Sequence, residues 1–299
     1  MSLTSSQRFN SIASNYATSE VHIGSPTLAR LHALLPRIET VCDVASGAGH
    51  TGLSFAEGAT RIVAIDPAPK MLEEFRKLAA GRGVAADTVE SLAECIPLPS
   101  ESFDLVVCRL AAHHFTEAGR AMGEMTRLAK TGGYVAVIDL EGDENPELDA
   151  LNHDIEVLHD PTHVRSYTAK RWREMFAANR LEIILCEGRR REITGGLTVR
   201  RWCELGNSGE KALQAIEDRL NATPADWLAQ LEITRDADGG FRIPVRTLLI
   251  LGRKGGQFKR QKEKGKRAEE NQRRKQKAGS REQGAGSTLN FEGKDRVGE

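Results

Sequence analysis

Between residues 37 and 140 short apolar runs alternate with amphipathic stretches. Residues 40–45 form an apolar run that ends in Ser46-Gly47-Ala48-Gly49, and a helical stretch to about Glu57 follows. A second run, 61–66, stops at Asp66-Pro67. Over 69–80, Met71, Leu72, Phe75 and Leu78-Ala79 fall on one side of a helix. Residues 87–91 read as a third strand and 103–109 as a buried fourth. A helix over 115–130 is broken by Thr131-Gly132-Gly133, and 134–140 is the next strand. Strands and helices alternating at this spacing predict βαβ units, a parallel sheet and right-handed crossovers.

Outside that stretch the pattern changes. Phe9, Ile12, Ala13 and Tyr16 fall at helical spacing, and Leu28, Leu31 and Leu34-Leu35 continue it over 27–35. Residues 1–36 therefore read as an N-terminal helical cap, which accounts for this Ser-rich, acid-poor segment better than a transit peptide does. Beyond Glu141, helices are expected over 146–159 and 167–180, and a strand over 181–186. The excursion 192–243 carries helices at 211–220 and 224–231, and 245–251 is the last strand. The expected organisation is a cap (1–36), an α/β domain (37–252) with lid and insertion segments around 141–166 and 188–243, and a tail (253–299).

The 299 residues carry 42 basic and 42 acidic side chains, a formal net charge of zero. That zero is a cancellation. Residues 253–299 hold a net +8 and the preceding body a net −8. The tail lacks Trp, Tyr, Ile and Met and cannot bury enough apolar surface to offset its ordering entropy, so it reads as disordered. It is the only segment suited to nucleic acid, and it lacks interleaved aromatics for base stacking. No apolar run reaches about 18 residues, so no membrane-spanning helix is expected. Five cysteines without a C-x-x-C pair argue against a disulfide scaffold and suit a reducing, cytoplasmic setting.

Gly47-Ala48-Gly49-His50-Thr51-Gly52 is a G-x-G-x-x-G after a strand, the pattern of a dinucleotide-binding turn with Asp66 as the ribose acid. Asp43, just before the glycines, argues against that reading, because a carboxylate there repels a pyrophosphate and attracts an ammonium or sulfonium. S-adenosylmethionine carries both of those cations and no phosphate. Asp66 suits two ribose hydroxyls in either case.

Residues 41–49 (Val-Cys-Asp-Val-Ala-Ser-Gly-Ala-Gly) resemble the first motif of class I S-adenosylmethionine-dependent methyltransferases. Residues 63–72 resemble the second motif, a strand ending in the ribose-binding acid. Ile96-Pro97-Leu98-Pro99 and Phe103-Asp104 resemble the loop and start of the fourth strand, and Leu128-Ala129-Lys130-Thr131-Gly132-Gly133 the turn before the fifth. The four motifs stand in order at family spacing; the resemblance covers about Phe9 to Lys254 and is closest to the small-molecule branch that includes ubiquinone and menaquinone C-methyltransferases. The resemblance implies a Rossmann-like, doubly wound, mostly parallel seven-stranded α/β sheet whose last strand is antiparallel. It implies S-adenosyl-L-methionine as cofactor. It places Asp43, Ala45, Gly47 and Gly49 at the methionine moiety, Asp66 at the ribose, Pro67, Met71 and Ala93 at the adenine, and Arg109 and Leu110 between methionine and substrate. Ala45 stands where many members have glycine, Leu92 where an Asp often meets the adenine amino group, and Thr131 where a turn proline is common.

Methyl transfer needs a nucleophile held in line with the sulfonium carbon, and a base helps when that nucleophile is protonated. His113 and His114 follow the fourth strand, at the sheet edge where such folds bind ligands. His113 is the candidate base and His114 a candidate substrate contact. The competing reading is that one caps the next helix and the other packs. Tyr16 is either an active-site wall or a core tyrosine. His163 and Arg165, in His159-Asp160-Pro161-Thr162-His163-Val164-Arg165, are candidate substrate residues, or part of a polar turn. Pro161 and the absence of H-E-x-x-H argue against a metal there. The expected function is S-adenosylmethionine-dependent methyl transfer to a small organic molecule. Its rivals are an RNA or protein methyltransferase using the tail, a nicotinamide oxidoreductase, and a non-catalytic binding protein.

Overall fold

A computed structural model describes residues 4–19 and 21–255. Two helices lead in. The first, α1 (Ser5–Ala17), is started by a capping box in which Thr4 and Gln7 satisfy each other's backbone N–H groups. The second, α2 (Pro26–Leu34), has Ser25 as its N-cap. The sheet then builds through β1 (Thr40–Val44), β2 (Arg61–Asp66), α3 (Pro69–Gly81), β3 (Ala86–Glu90), β4 (Phe103–Arg109), α4 (Ala118–Leu128) and β5 (Ala129–Leu140). Next come α5 (Pro146–His159), α6 (Ala169–Ala178) and β6 (Leu181–Arg191). An insertion of β7 (Leu197–Thr198), α7 (Val199–Gly206), α8 (Glu210–Asn221), α9 (Ala225–Gln230), β8 (Thr234–Arg235) and β9 (Phe241–Ile243) precedes the last strand, β10 (Arg246–Lys254).

The seven-stranded sheet has the order β3-β2-β1-β4-β5-β10-β6. Strands β1 to β5 pair parallel, while β10 runs antiparallel to both β5 and β6. The parallel strands are near-continuous apolar runs because helices cover both faces. Alternate residues feed two cores. Cys42, Val44, Val63, Val106 and Cys108 meet Met122, Met125, Trp172 and Phe176 on one face. Val41, Ile62, Ala64, Leu105 and Val107 meet Leu31, Leu72 and Phe75 on the other. Each fully buried side chain of this size contributes about 1.5–3 kcal/mol.

The insertion has its own core, where Leu151, Ile155, Val199, Leu213, Ile216 and Phe241 pack together. It also carries a small sheet of order β7-β9-β8, which the sequence pattern did not predict because its strands span two or three residues.

Several boundaries differ from expectation, β6 among them, which runs on to Arg191 rather than ending at 186. The helix expected after the glycine loop is a single 3₁₀ turn, Gly52–Phe55. Gly58 closes it, and β2 begins three residues later. The pair Gly132-Gly133 does not precede β5 but lies within it, at an irregularity in the β4–β5 register. Gly132 has φ +83°, and a Cβ on Gly133 would sit 3.0 Å from the carbonyl oxygens of Asp104 and Lys130. Finally, β10 runs through Lys254, so the fold claims the first residues assigned to the tail. The rest of that basic segment lies outside the described residues.

The order reverses between β1 and β4, and in such sheets ligands bind outside the carboxyl ends of the strands at that switch point. Among the described residues no helix is long and apolar enough to cross a membrane.

Candidate functional site: two adjoining clefts at the switch point

The first cleft, about 960 Å³, opens at the carboxyl ends of β1, β2 and β4 beneath α1. Its floor is the turn after β1. Ala45 and Gly47 both adopt left-handed backbone, at φ +52° and +53°. The cost falls on Ala45, since only glycine enters that region freely. The Gly47 N–H donates to Asp66 Oδ2 and the Ala68 N–H to Oδ1, each at 2.8 Å. The second strand's acid thus holds the first strand's loop while its carboxylate faces the cleft. Burial raises Asp66 to a pKa of about 6 against those two hydrogen bonds. Pro67, Met71 and Ala93 line one wall, beside a Leu92 that is 58% exposed. From α1, Ser6, Phe9 and Tyr16 close the opposite side, and the Ser6 hydroxyl donates to the Pro67 carbonyl at 2.7 Å.

Two residues expected at the methionine moiety play another part. Asp43 does not line the cleft. Its Oδ2 accepts the Gly52 N–H at 2.7 Å from beneath the loop, and burial pushes its pKa up to about 7. Gly49 is also absent from the lining. A Cβ there would lie 2.0 Å from the Phe75 ring, so this glycine serves the packing of α3. The charge argument built on Asp43 therefore does not apply to this cleft, and Asp66 suits a ribose in either cofactor. One observation still weighs against a nicotinamide dinucleotide, because the loop leads into one 3₁₀ turn and offers no helix N-terminus to a pyrophosphate.

The second cleft, about 690 Å³, adjoins the first. Tyr16, His22, Leu110 and His114 line both. At its base the His113 Nδ1 lies 2.6 Å from Asp139 Oδ1. Asp139 is 1% exposed, near the end of β5. Burial opposes the charged imidazole, but the charge and hydrogen bond of Asp139, with Glu156 and Asp160 behind, hold the His113 pKa above its ordinary value. The neighbouring rings go the other way. Burial and the nearby His113 push His114 down to about 3. Burial, His113 and His114 likewise depress His163, whose ring stacks on His113 at 5.4 Å. One histidine of the cluster therefore takes a proton readily and its neighbours stay neutral.

The lid loop is tied to this centre. The Val164 and Arg165 N–H groups both donate to the His113 carbonyl, which seats His163 against the ring. Trp202, from α7, lines the second cleft and stacks on His159 at 3.8 Å.

Arg165 does not join the site. Its guanidinium pairs with Asp149 on α5, and it lines neither cleft. Arg109 does line the first cleft, but it is committed to structure. It pairs with the buried Glu192 at 3.2 Å and donates to the Val21 carbonyl at 2.9 Å. Leu110 follows at φ +52°, turning the chain out of β4 into the wall between the clefts. Among the described residues no group of three or more His, Cys, Asp or Glu is placed to hold a metal ion.

Sequence reasoning missed Asp139, Glu156, Asp160 and Glu192. Asp139 left one usable signal, a lone acid ending the apolar run Val135-Ala136-Val137-Ile138.

The comparisons with known proteins agree with this geometry. Residues 42–137 match the methyltransferase domain family. YcgJ of Bacillus subtilis (strain 168), named an uncharacterised methyltransferase, is 36% identical over 142 residues, 47% of this chain and 56% of the relative. The demethylmenaquinone methyltransferase of Thermus thermophilus is 32% identical over 101 residues, 33% of this chain and 46% of the relative. The chain thus spans about half the length of these curated relatives. The crystal structure of YcgJ superposes with a TM-score of 0.68 at 28% identity, covering 77% of this chain and 98% of that one. By its sheet order, its four motifs and these relatives, the chain is similar to class I S-adenosylmethionine-dependent methyltransferases, and residues 42–137 match their methyltransferase domain.

Proposed function

We propose that this protein transfers a methyl group from S-adenosylmethionine to a small organic molecule seated in the second cleft, with His113 as general base. The observation that carries the proposal is the His113–Asp139 pair at the base of a cleft that shares a wall with the cofactor cleft. The first cleft suits the cofactor. Asp66 presents a carboxylate that can accept from two ribose hydroxyls, and Met71, Ala93 and Pro67 form an apolar slot for a flat base. Bound there, S-adenosylmethionine supplies a methyl carbon on a sulfonium whose leaving group is a neutral thioether.

The chain's own residues do the rest. Asp139 fixes the His113 tautomer by accepting from Nδ1–H, which leaves Nε2 as the acceptor nitrogen. At that nitrogen His113 takes the acceptor's proton as its O–H, N–H or acidic C–H is consumed, and Asp139 stabilises the resulting imidazolium. Base catalysis of this kind contributes roughly 10²–10⁴-fold, and positioning supplies much of the remainder. Tyr16, His22, Leu110 and His114 wall the passage between the clefts, and α1 contributes Ser6, Phe9 and Tyr16 to the first.

Calorimetry with S-adenosylhomocysteine and a screen of metabolites for methyl transfer test this reading. Binding together with turnover that His113→Asn lowers by 10²-fold or more supports it. Failure of the wild-type protein to bind S-adenosylhomocysteine at millimolar concentration refutes it.

A further inference from the structure

The second cleft has an unbalanced charge. No Lys or Arg lines it, while Glu156 and Asp160 both do. Asp160 is already matched, by the Arg8 guanidinium at 2.9 Å and by the Thr162 backbone N–H and hydroxyl at 2.8 and 2.7 Å. Asp139, below, is matched by His113. The Glu156 carboxylate has neither a hydrogen bond nor an ion pair among the described residues, and it lines this cleft. Burial raises its pKa to about 7 against the favourable charge of His113. A half-buried carboxyl with no protein partner is an open acceptor, and a ligand that donates to it satisfies it. Val21, Leu197, Trp202 and Val245 supply apolar walls around this one polar spot.

We infer that the second cleft takes a compact molecule whose polar end is a neutral or cationic hydrogen-bond donor, a hydroxyl or an amine, and rejects anionic groups, with Glu156 setting that choice. The inference rests on the second cleft being the acceptor site and deepens that reading. An ammonium or hydroxyl held by Glu156 sits in the same cleft as His113, where its proton has an acceptor. A carboxylate or phosphate there meets Glu156 with no Lys or Arg in the lining to offset it. Like charges so placed repel strongly in a low-dielectric site.

The test uses the full chain saturated with S-adenosylhomocysteine and three probes of one shape, benzylamine, benzyl alcohol and benzoate, titrated near pH 7.5. The expected order is benzylamine and benzyl alcohol at least tenfold tighter than benzoate. Glu156→Gln, nearly isosteric, is expected to bring benzoate within threefold of benzyl alcohol and to weaken benzylamine about tenfold. Glu156→Asp, which keeps the charge, should retain the wild-type order, and thermal melts of both variants confirm folding. Benzoate binding as tightly as benzylamine, an order unchanged in Glu156→Gln, or no binding of any probe overturns the inference. The titration of S-adenosylhomocysteine alone reads the methyltransferase assignment separately. If it fails, that assignment falls, and the same probe series on the unloaded protein still decides the charge preference.

Discussion

The Nδ1 of His113 sits 2.6 Å from Oδ1 of Asp139, across two parallel strands that pair in register up to Arg109 and Ile138. The proposed orienter Asp139 sits one residue past the last β4–β5 pair, and the proposed base His113 lies in the 3₁₀ turn four residues beyond Arg109. The pair makes a pH prediction. The His113 pKa lies above its unfolded value of 6.5, so the base is neutral only at higher pH, and kcat/KM should rise with pH through a midpoint above 6.5. Asp139→Asn removes the charge that raises this pKa. Its profile should shift to lower pH, while kcat falls because the tautomer is no longer fixed. The same linkage acts on stability. The pair stabilises the fold fully below pH 6.5 and loses that contribution as pH rises through the folded pKa. A pH–rate profile of both proteins checks this, and an unshifted midpoint in Asp139→Asn would count against the assignment.

Asp66 joins the glycine loop to the cofactor cleft. Asp66→Ala should weaken S-adenosylhomocysteine binding by about 1–3 kcal/mol, because it removes an acceptor and orphans the Gly47 and Ala68 N–H groups. Burial raises the folded pKa to about 6, so the ionised form that accepts from hydroxyls is lost as pH falls through 6. Affinity measured by calorimetry should decline over that range in the wild type and stay flat in Asp66→Ala.

Asp43 and Gly49 act on the fold before they act on the ligand. Asp43→Ala orphans a buried Gly52 N–H and should cost about 1–3 kcal/mol of stability, while Asp43→Asn, which keeps an acceptor, costs less. Gly49→Ala drives a methyl into the Phe75 ring at a backbone φ of +89° and should destabilise by more than 2 kcal/mol. Urea denaturation reads both. A loss of affinity in Asp43→Asn at unchanged stability would restore a direct ligand role for Asp43.

These residues show what the sequence made legible. Strand and helix periods placed β2 and β4 to the residue, because a parallel sheet covered on both faces leaves uninterrupted apolar runs. The motif order pointed to the first cleft, since its parts lie within one βαβ unit and its neighbours. What stayed hidden depends on distant pairing. Asp139 meets His113 across 26 positions, Glu192 meets Arg109 across 83, and Arg165 turns to Asp149 on a separate helix. Periodicity carries no information about such partners. Asp43 was misplaced for a related reason. A position before the glycines fixes the strand end, but not which side of the loop the carboxylate reaches.

Glu192 is the hub that fastens the cap to the sheet. It is 2% exposed, pairs with Arg109, accepts from the Ser25 hydroxyl that also caps α2, and accepts the Thr247 hydroxyl at 3.1 Å. Glu192→Ala leaves a buried guanidinium without its countercharge and should cost about 3–5 kcal/mol, read as a lower urea midpoint. A loss below 1 kcal/mol would show that water or a rearranged cap compensates.

Arg8 decides whether α1 stays closed. Its guanidinium faces Asp160 at 2.9 Å and donates to the carbonyls of His159 and Gly206 at 3.1 and 3.0 Å, so one side chain ties α1 to the ends of both α5 and α7. The same helix supplies Ser6, Phe9 and Tyr16 to the cofactor cleft. Its other contacts include Ala13, Phe9 and Tyr16 against Ala68 and Met71, the Ser6 hydroxyl on the Pro67 carbonyl, and Asn10 Oδ1 accepting the Lys70 N–H. Arg8→Met keeps most of the aliphatic packing and removes the fork. It also leaves Asp160 without its cation beside His114, so the ionic cost falls on the lid rather than on the sheet core. The expected result is S-adenosylhomocysteine affinity lowered about tenfold, roughly 1.4 kcal/mol, through faster release, with faster hydrogen exchange over 5–17 and unchanged exchange in β1 and β4. Arg8→Lys should fall between, since one ammonium cannot serve a carboxylate and two carbonyls in the geometry of the fork. Equal protection of α1 in wild type and Arg8→Met would show that its closure rests on its other contacts alone.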